Sequence, residues 1–322
     1  MDASSEHPKP RDGFASPRFA QPATFMRLPH IESPAGLDVA LCGIPFDGGC
    51  SYRSGARMGP RHVREQSSLI RPWNSALRVH PFDRLRVADC GDVDIVPVSI
   101  EATFAAIERT LAPVVAARAV PLCVGGDHTV TLAVLRALAR RHGRLGLVHF
   151  DAHTDTGRAV FGTALSHGTP MRRLVEQGHV DPRRYAQLGL RGYWPGEEEF
   201  AWQAEHGIVS LFVYDLRELG IERAVERAID VAGEGPVYLS VDVDVLDPAF
   251  APGTGTPEPG GLSSAELLWA CRELARRLDL VGAELVEVIP TAVGSADVTA
   301  LAADRTVREI LTGIALRRVS ER

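Results

Sequence analysis

Residues 144–155 read RLGLVHFDAHTD, an apolar run that ends in three ionisable groups, Asp151, His153 and Asp155, spaced two apart. Leu and Val fall on both parities of the run, as a strand buried on both faces of a parallel sheet requires. Side chains alternate along a strand with period two, so continued strand geometry would project Asp151, His153 and Asp155 to one side. The stretch GPVYLSVDVD (235–244) has the same form, an apolar run closing on Asp242 and Asp244. Four of these five groups are anionic. In a partly buried crevice they would repel one another and lose solvation, and divalent cations among them resolve that conflict.

Working outward, further β-like runs are LDVALCGIPF (37–46), RLRVADCG (84–91), AVPLCVGG (119–126), YAQLGLRG (185–192), GIVSLFV (207–213) and LVGAELVEV (280–288). Helical patterns fall between most of them: SIEATFAAIERTLAPVVAA (99–117), TVTLAVLRALARRH (129–142), GTPMRRLVEQG (168–178), EEEFAWQAEHG (197–207), IERAVERAIDVAG (221–233) and SSAELLWACRELARRL (263–278). A last helix is expected from Asp297 to about Arg317. Strands alternating with helices of this length predict βαβ units. The fold class is therefore α/β, three layers α/β/α around a central, mostly parallel eight-stranded sheet. No repeat or Gly/Ser linker divides the chain, so residues 20–322 are read as one catalytic domain behind a flexible arm, 1–19. Ligands of open parallel sheets bind at the carboxyl ends of strands. GGDHT (125–129), DAHTD (151–155), DVD (242–244) and EVIP (287–290) all fall at such ends.

The chain has 322 residues, 45% apolar and 24% charged, with a formal net charge of −6, and no basic stripe carries interleaved aromatics. Neither nucleic acid nor anionic membrane is an expected partner. No apolar run reaches the ~18 residues of a membrane span, and the N-terminal stretch lacks the apolar segment of a secretory signal, so a cytoplasmic location is expected. The cysteines, Cys42, Cys50, Cys90, Cys123 and Cys271, are scattered without a CxxC pair and are read as reduced. Cys123 could be a nucleophile beside GGDH, but inside VPLCV a buried thiol reads first as a small hydrophobe.

His128, Asp151, His153, Asp155, Asp242 and Asp244 are the candidate metal ligands, all oxygen or imidazole and none a thiolate. Such a set suits Mn2+ better than structural zinc, and carboxylates can bridge two ions. Four carboxylates balance two divalent cations, and a water held by both would ionise far below its bulk pKa of ~15.7. Any one of these residues could be a cap or a satisfied core group. All six at strand ends, with the DxHxD spacing, argue for a dinuclear site.

With SHGTPMRR (166–173) and SVDVDVLDPAFAPGTGTPEPGG (240–261), these motifs resemble the ureohydrolases, especially the agmatinase, guanidinobutyrase and proclavaminate amidinohydrolase branch. The likeness runs from PRFAQPATFMRLPH (17–30) to near the C-terminus. It implies an enzyme with two Mn2+ per subunit that hydrolyses a small guanidino substrate to urea and an amine, as a homotrimer or homohexamer. It also implies that His128, Asp151, Asp155 and Asp242 hold one manganese and Asp151, His153, Asp242 and Asp244 the other, with Asp151 and Asp242 bridging. By the same resemblance His167 passes a proton to the departing amine and Glu287 holds the substrate guanidinium. Their rival readings are a helix cap near Thr169 and a salt-bridged structural acid.

The chain departs from the branch at EVIPTAVGSADVT (287–299), where relatives carry EVSP or EVAP and a Tyr-Asp pair. The Pro- and Gly-rich 247–261 stretch is read as a rigid active-site loop. Glu197, Glu198 and Glu199 are read as the solvated first turn of a helix. Substrate choice is expected in TGRAVFGTALS (156–166), with Arg158, and in the early loop around Tyr52 and Arg53. Agmatine, giving putrescine, ranks first because most of the branch is assigned so, and 4-guanidinobutyrate or another guanidino acid second. Metal-dependent deacetylases share the fold class, but use one zinc and lack these motifs together. A non-enzymatic relative would be expected to have lost ligands.

Overall fold

Parallel pairing throughout builds one sheet from β1 (Val39–Gly43), β2 (Val87–Asp92), β3 (Val120–Val124), β4 (Leu145–Phe150), β5 (Val180–Leu190), β6 (Val209–Phe212), β7 (Pro236–Asp242) and β8 (Asp279–Val286). Their spatial order is β2-β1-β3-β8-β7-β4-β5-β6. The computed structural model describes residues 7–291 and 297–320. Among these the sheet is wholly parallel, so the expected eight strands are all present. Residues 292–296, within the divergent EVIPTAVGSADVT stretch, lie outside the described residues.

The helices are α1 (Gly59–Ser67), α2 (Pro81–Arg84), α3 (Ile100–Ala116), α4 (Thr131–His142), α5 (Pro170–Glu176), α6 (Glu198–His206), α7 (Val213–Leu219), α8 (Ile221–Ala232), α9 (Ser264–Arg277) and α10 (Val298–Ser320). Strand alternation divides the core in two. Val148, Phe150, Leu239, Val241, Ala283 and Leu285 face α1, α8, α9 and α10. Leu145, Leu147, Tyr238 and Cys123 face the opposite layer, α3, α4 and α5. Parity in each strand therefore decides which layer a side chain meets, and Asp151 and Asp242 continue the parity that faces α4. Among the described residues no helix is long and apolar enough to cross a membrane.

Local signals explain the boundaries. Ser99 caps α3 by accepting from the Ala102 amide, and Ser263 with Glu266 forms a reciprocal capping box on α9. α7 was not anticipated, because VYDLREL follows β6 with no intervening breaker. Its start is fixed by Asp215, which accepts the Phe212 amide at 2.7 Å. The N-terminal segment lies on the domain: the Arg11 amide reaches the Arg27 carbonyl at 2.9 Å and Lys9 pairs with Asp83 at 2.6 Å.

α10 begins at a dense cap. Asp297 accepts from the Thr299 and Ala300 amides at 2.9 and 3.2 Å, from the Thr291 amide at 2.8 Å, and lies 2.9 Å from His62 Nε2. Burial alone would raise its pKa, but the amides of Thr291 and Ala300 outweigh burial and hold it below the usual carboxylate value. Asp297→Ala is expected to cost about 2 kcal/mol at pH 7 by denaturant unfolding. A depressed carboxylate stabilises above its unfolded pKa and loses that contribution as pH falls, so the difference from wild type should shrink below about pH 4. An equal difference at pH 7 and pH 3 would refute the charged cap.

Candidate metal centre

Four strand ends meet here, though not by the expected route. β4 stops at Phe150, so Asp151, His153 and Asp155 sit on a turn outside the sheet and strand alternation does not align them. Asp151 Oδ1 accepts the His153 amide at 2.6 Å, and Asp244 Oδ1 accepts the Ala152 amide at 3.1 Å. Asp155 has φ of 50°, the left-handed region that a non-glycine residue enters at a cost, which turns its carboxylate back toward His128. Asp242 closes β7 and caps the one-turn 3-10 helix Val243–Val245 by accepting the Asp244 amide at 2.8 Å.

His128, just after β3, is fully buried, and its Nδ1 lies 3.2 Å from Asp151, 2.9 Å from Asp155 and 3.3 Å from Asp242. That nitrogen nevertheless forms no well-directed hydrogen bond. One lone pair or one N–H cannot address three oxygens, whereas a cation at their common focus can be reached by all four atoms. His153 Nδ1 lies 2.9 Å from Asp244 and 3.4 Å from Asp151. Two groups of potential ligands result, one of His128, His149 and Asp151 and one of Asp151, His153 and Asp244, sharing Asp151. The donors, carboxylate and imidazole, are those a pair of hard divalent ions takes.

The electrostatics without cations are those of crowded acids. Burial, then Asp244 and Asp151, push the Asp242 carboxyl well above its usual range, and burial and Asp151 raise Asp244. Burial would also raise Asp151, but His149, His128 and His153 pull it well below. For His128 burial opposes the charge and the carboxylates of Asp151, Asp155 and Asp242 reverse it.

His167 and Glu287 complete the crevice. The helix-cap reading does not describe His167, since α5 starts at Pro170 and the ring bonds elsewhere, and Glu287 is paired with that ring. Its Nδ1 lies 3.0 Å from Glu287 Oε1 and its Nε2 2.7 Å from Ser51 Oγ, while the Ser51 amide donates to Nε2 at 3.0 Å. Burial disfavours a charged ring, yet Glu287, Asp155 and Asp127 outweigh it and push His167 up to about 9. The Ser51 amide works the other way, since it needs Nε2 as an acceptor. It fixes a neutral ring with its proton on Nδ1, and cations beside Asp155 would favour the same state. Glu287 Oε1 also accepts the His128 amide at 2.9 Å, and Glu287 has φ of 63°, another left-handed residue at the crevice.

Glycines let the loops close in. A Cβ at Gly126 would run into the Phe46 carbonyl, and one at Gly255 would sit 3.0 Å from the Arg53 carbonyl and 3.5 Å from Glu287 Oε2. Residues 51–55 and 253–256 therefore form the rim above Glu287. Thr256 reaches Asp244 at 3.5 Å. The second loop is tied down by Arg191, buried, whose guanidinium donates to the carbonyls of Asp244, Val245, Leu246 and Glu258.

Other anticipated residues differ in their surroundings. Arg158 is exposed, on the stretch between Asp155 and His167, and makes no ion pair among the described residues. Glu199 is not simply solvated, because it accepts from the Thr154 hydroxyl and braces the DAHTD turn. Cys123 is fully buried, with burial raising its pKa far above that of a reactive thiolate. The reading of single residues missed His149, which lies 2.8 Å from Asp151 Oδ2, and Ser51. His149 sits two residues before Asp151 in the same run, and that spacing is the signal that could have found it.

Comparison with known proteins agrees with this geometry. A family model described as the Arginase family matches residues 37–313. The Guanidinopropionase of Pseudomonas aeruginosa is 50% identical over 290 residues, 89% of this chain and 90% of that protein. The Guanidinobutyrase of the same organism is 44% identical over 285 residues, 88% and 89% of the two chains. The solved proclavaminate amidino hydrolase from Streptomyces clavuligerus superposes with a TM-score of 0.89 at 40% identity, covering 94% of this chain and all of its own. Such agreement along nearly the whole chain, converging on the crowded acids around His128, makes this protein a member of the Arginase family, hydrolases that cleave the C–N bonds of guanidino compounds.

Proposed function

We propose that the chain uses two Mn2+ to hydrolyse a short guanidino acid, such as 3-guanidinopropionate or 4-guanidinobutyrate, to urea and an amino acid. One observation carries the choice of tail: the rim above Glu287 presents an unpaired cation. Arg53 is exposed, packs over the Tyr52 ring at 5.0 Å and has no carboxylate partner among the described residues. The acid nearest along that loop, Asp47, is already committed to Arg57 and to the Gly55 amide. A substrate carboxylate would be attracted to this rim, whereas the ammonium tail of agmatine would be repelled. This reverses the ranking drawn from sequence, and the 50% identity to a protein named Guanidinopropionase supports the reversal.

His128, Asp151, Asp155 and Asp242 would hold one ion, and Asp151, His153, Asp242 and Asp244 the other. The ions would act as Lewis acids and ionise a shared water near neutral pH. Glu287, with Oε1 held by His128 and His167, offers Oε2 to the guanidinium. Water adds to the guanidino carbon, the bond to the substituted nitrogen breaks, and that nitrogen needs a proton to leave. Nε2 of the neutral His167, 2.7 Å from the Ser51 hydroxyl, takes up the proton that the adding water loses and passes it to that nitrogen.

Urea release by manganese-loaded protein tests the reading. The kcat/KM for a guanidino acid is expected to exceed that for agmatine at least about tenfold, and Arg53→Ala should raise KM for the acid about tenfold, the worth of one charge-assisted hydrogen bond, while leaving agmatine unaffected. Preference for agmatine, or an acid KM that ignores Arg53, would overturn the choice of tail. Acetate in place of urea, from acetylated amines, would point instead to deacetylase chemistry.

A further inference from the structure

One pleat behind the ligands, the sheet carries a row of buried polar groups. His149, Ser240 and Glu284 are register partners across β4, β7 and β8, on the parity that faces α4, and all three are fully buried. Central strands of a parallel sheet favour Val, Ile and Leu, and a buried carboxylate there is costly, so packing alone gives no reason for Glu284.

Its contacts give one. Ser240 Oγ donates to Glu284 Oε1 at 2.8 Å, and Thr131 Oγ1, at the start of α4, donates to the same oxygen at 2.7 Å. The lone pairs of Ser240 Oγ are left for His128 Nε2, 2.9 Å away. Only one direction of donation satisfies the whole chain: His128 Nε2–H to Ser240, and Ser240 O–H to Glu284. With its proton committed on Nε2, His128 turns the Nδ1 lone pair toward Asp151, Asp155 and Asp242. The structure assigns to Glu284 the role of a positioning residue that acts through Ser240 to fix the tautomer and tilt of His128 as a metal ligand. The assignment rests on the dinuclear metal reading above. Partners of this kind, behind a ligating imidazole, govern metal affinity as well as activity.

The probe is Mn2+ itself, titrated into metal-free wild type, Ser240→Ala, Glu284→Met, Glu284→Gln and the Ser240→Ala/Glu284→Met double variant, with thermal melting of each metal-free protein to establish folding. Ser240→Ala and Glu284→Met should each weaken one of the two sites about 10–100-fold and spare the other. At two equivalents the electron paramagnetic resonance spectrum should then show isolated ions in place of a coupled pair. Glu284→Gln keeps a side-chain oxygen that can accept from Ser240 and Thr131, so it should stay within about threefold of wild type. Because the two groups act in series, the double variant should lose no more than either single one. If Glu284→Met fails to fold, Ser240→Ala and Glu284→Gln still decide the matter, with the same opposite expectations.

Wild-type affinity at both sites in folded Ser240→Ala or Glu284→Met, equal losses in Glu284→Gln and Glu284→Met, or additive losses in the double variant would overturn the relay while leaving the metal reading intact. A wild type that binds no coupled pair would overturn both.

Discussion

Asp242→Ala is expected to remove urea release and bound manganese together, by at least about 10³-fold in kcat/KM, some 4 kcal/mol of barrier. The carboxylate stands at the focus of the site, 3.3 Å from His128 Nδ1 through one oxygen and holding the Asp244 amide at 2.8 Å through the other. Its loss would remove a proposed ligand and loosen the turn that aims Asp244. Stability should move in the opposite direction. Without cations, burial, Asp244 and Asp151 raise the Asp242 pKa, so its ionised form costs folding free energy at every pH above the unfolded carboxylate value. Asp242→Asn keeps an acceptor for the Asp244 amide and removes that charge. The metal-free Asn variant should therefore melt no lower than metal-free wild type at pH 7, although manganese raises only the wild type substantially. Elemental analysis and melting curves check both halves. Two retained equivalents of manganese with undiminished turnover would end the assignment, and a metal-free Asn variant that melts well below wild type would remove the argument from charge crowding.

The sheet was legible because its strands are buried on both faces, so LVHF, YLSV and GAELV stand out as apolar runs that stop at charged residues. The acids proposed as metal ligands were legible for the same reason, since carboxylates where such a run stops need an explanation. The route by which they converge was not. Period two puts Asp151, His153 and Asp155 on one side of a strand, but β4 has already ended and the left-handed backbone of Asp155 does the work. Spacing within one segment can suggest companions but cannot show a turn. Ser240 and Glu284 stayed hidden because each is one polar residue inside an apolar run, and only the cross-strand register makes them neighbours. Ser51 was hidden by distance, 116 residues from the histidine it touches. Arg53 was visible as a charge in a loop, but that its backbone lies on the rim beside Gly255 and Glu287 depends on how residues 253–256 fold back over the crevice.

Glu287→Gln should show that binding the guanidinium is separable from binding metal. The two Glu287 oxygens stand in different situations. Oε1 is occupied by the His128 amide and by His167, while Oε2 faces the rim by Gly255 with no protein donor among the described residues. A glutamine placing its oxygen at the first position keeps both protein contacts and puts an NH2 where the guanidinium would lie. Two donors then face each other in a crevice with little water, and a charged hydrogen bond is exchanged for a repulsive contact. The expected loss is about 10²–10³-fold in kcat/KM, about 3–4 kcal/mol, with both manganese ions retained, because Glu287 is not among the proposed ligands. The pH dependence should change in a defined direction. Glu287 is the largest influence holding the charged form of His167 against burial, so neutralising it lowers the His167 pKa, and the limb of the kcat profile belonging to that ring should move to lower pH. A structural acid would behave differently: its replacement would lower the melting temperature and leave kcat/KM and the pH profile of the folded fraction in place. Wild-type kinetics in the Gln variant would remove Glu287 from the substrate site. Loss of manganese alongside activity would show that it supports the ligand cluster instead, through the His128 amide it accepts.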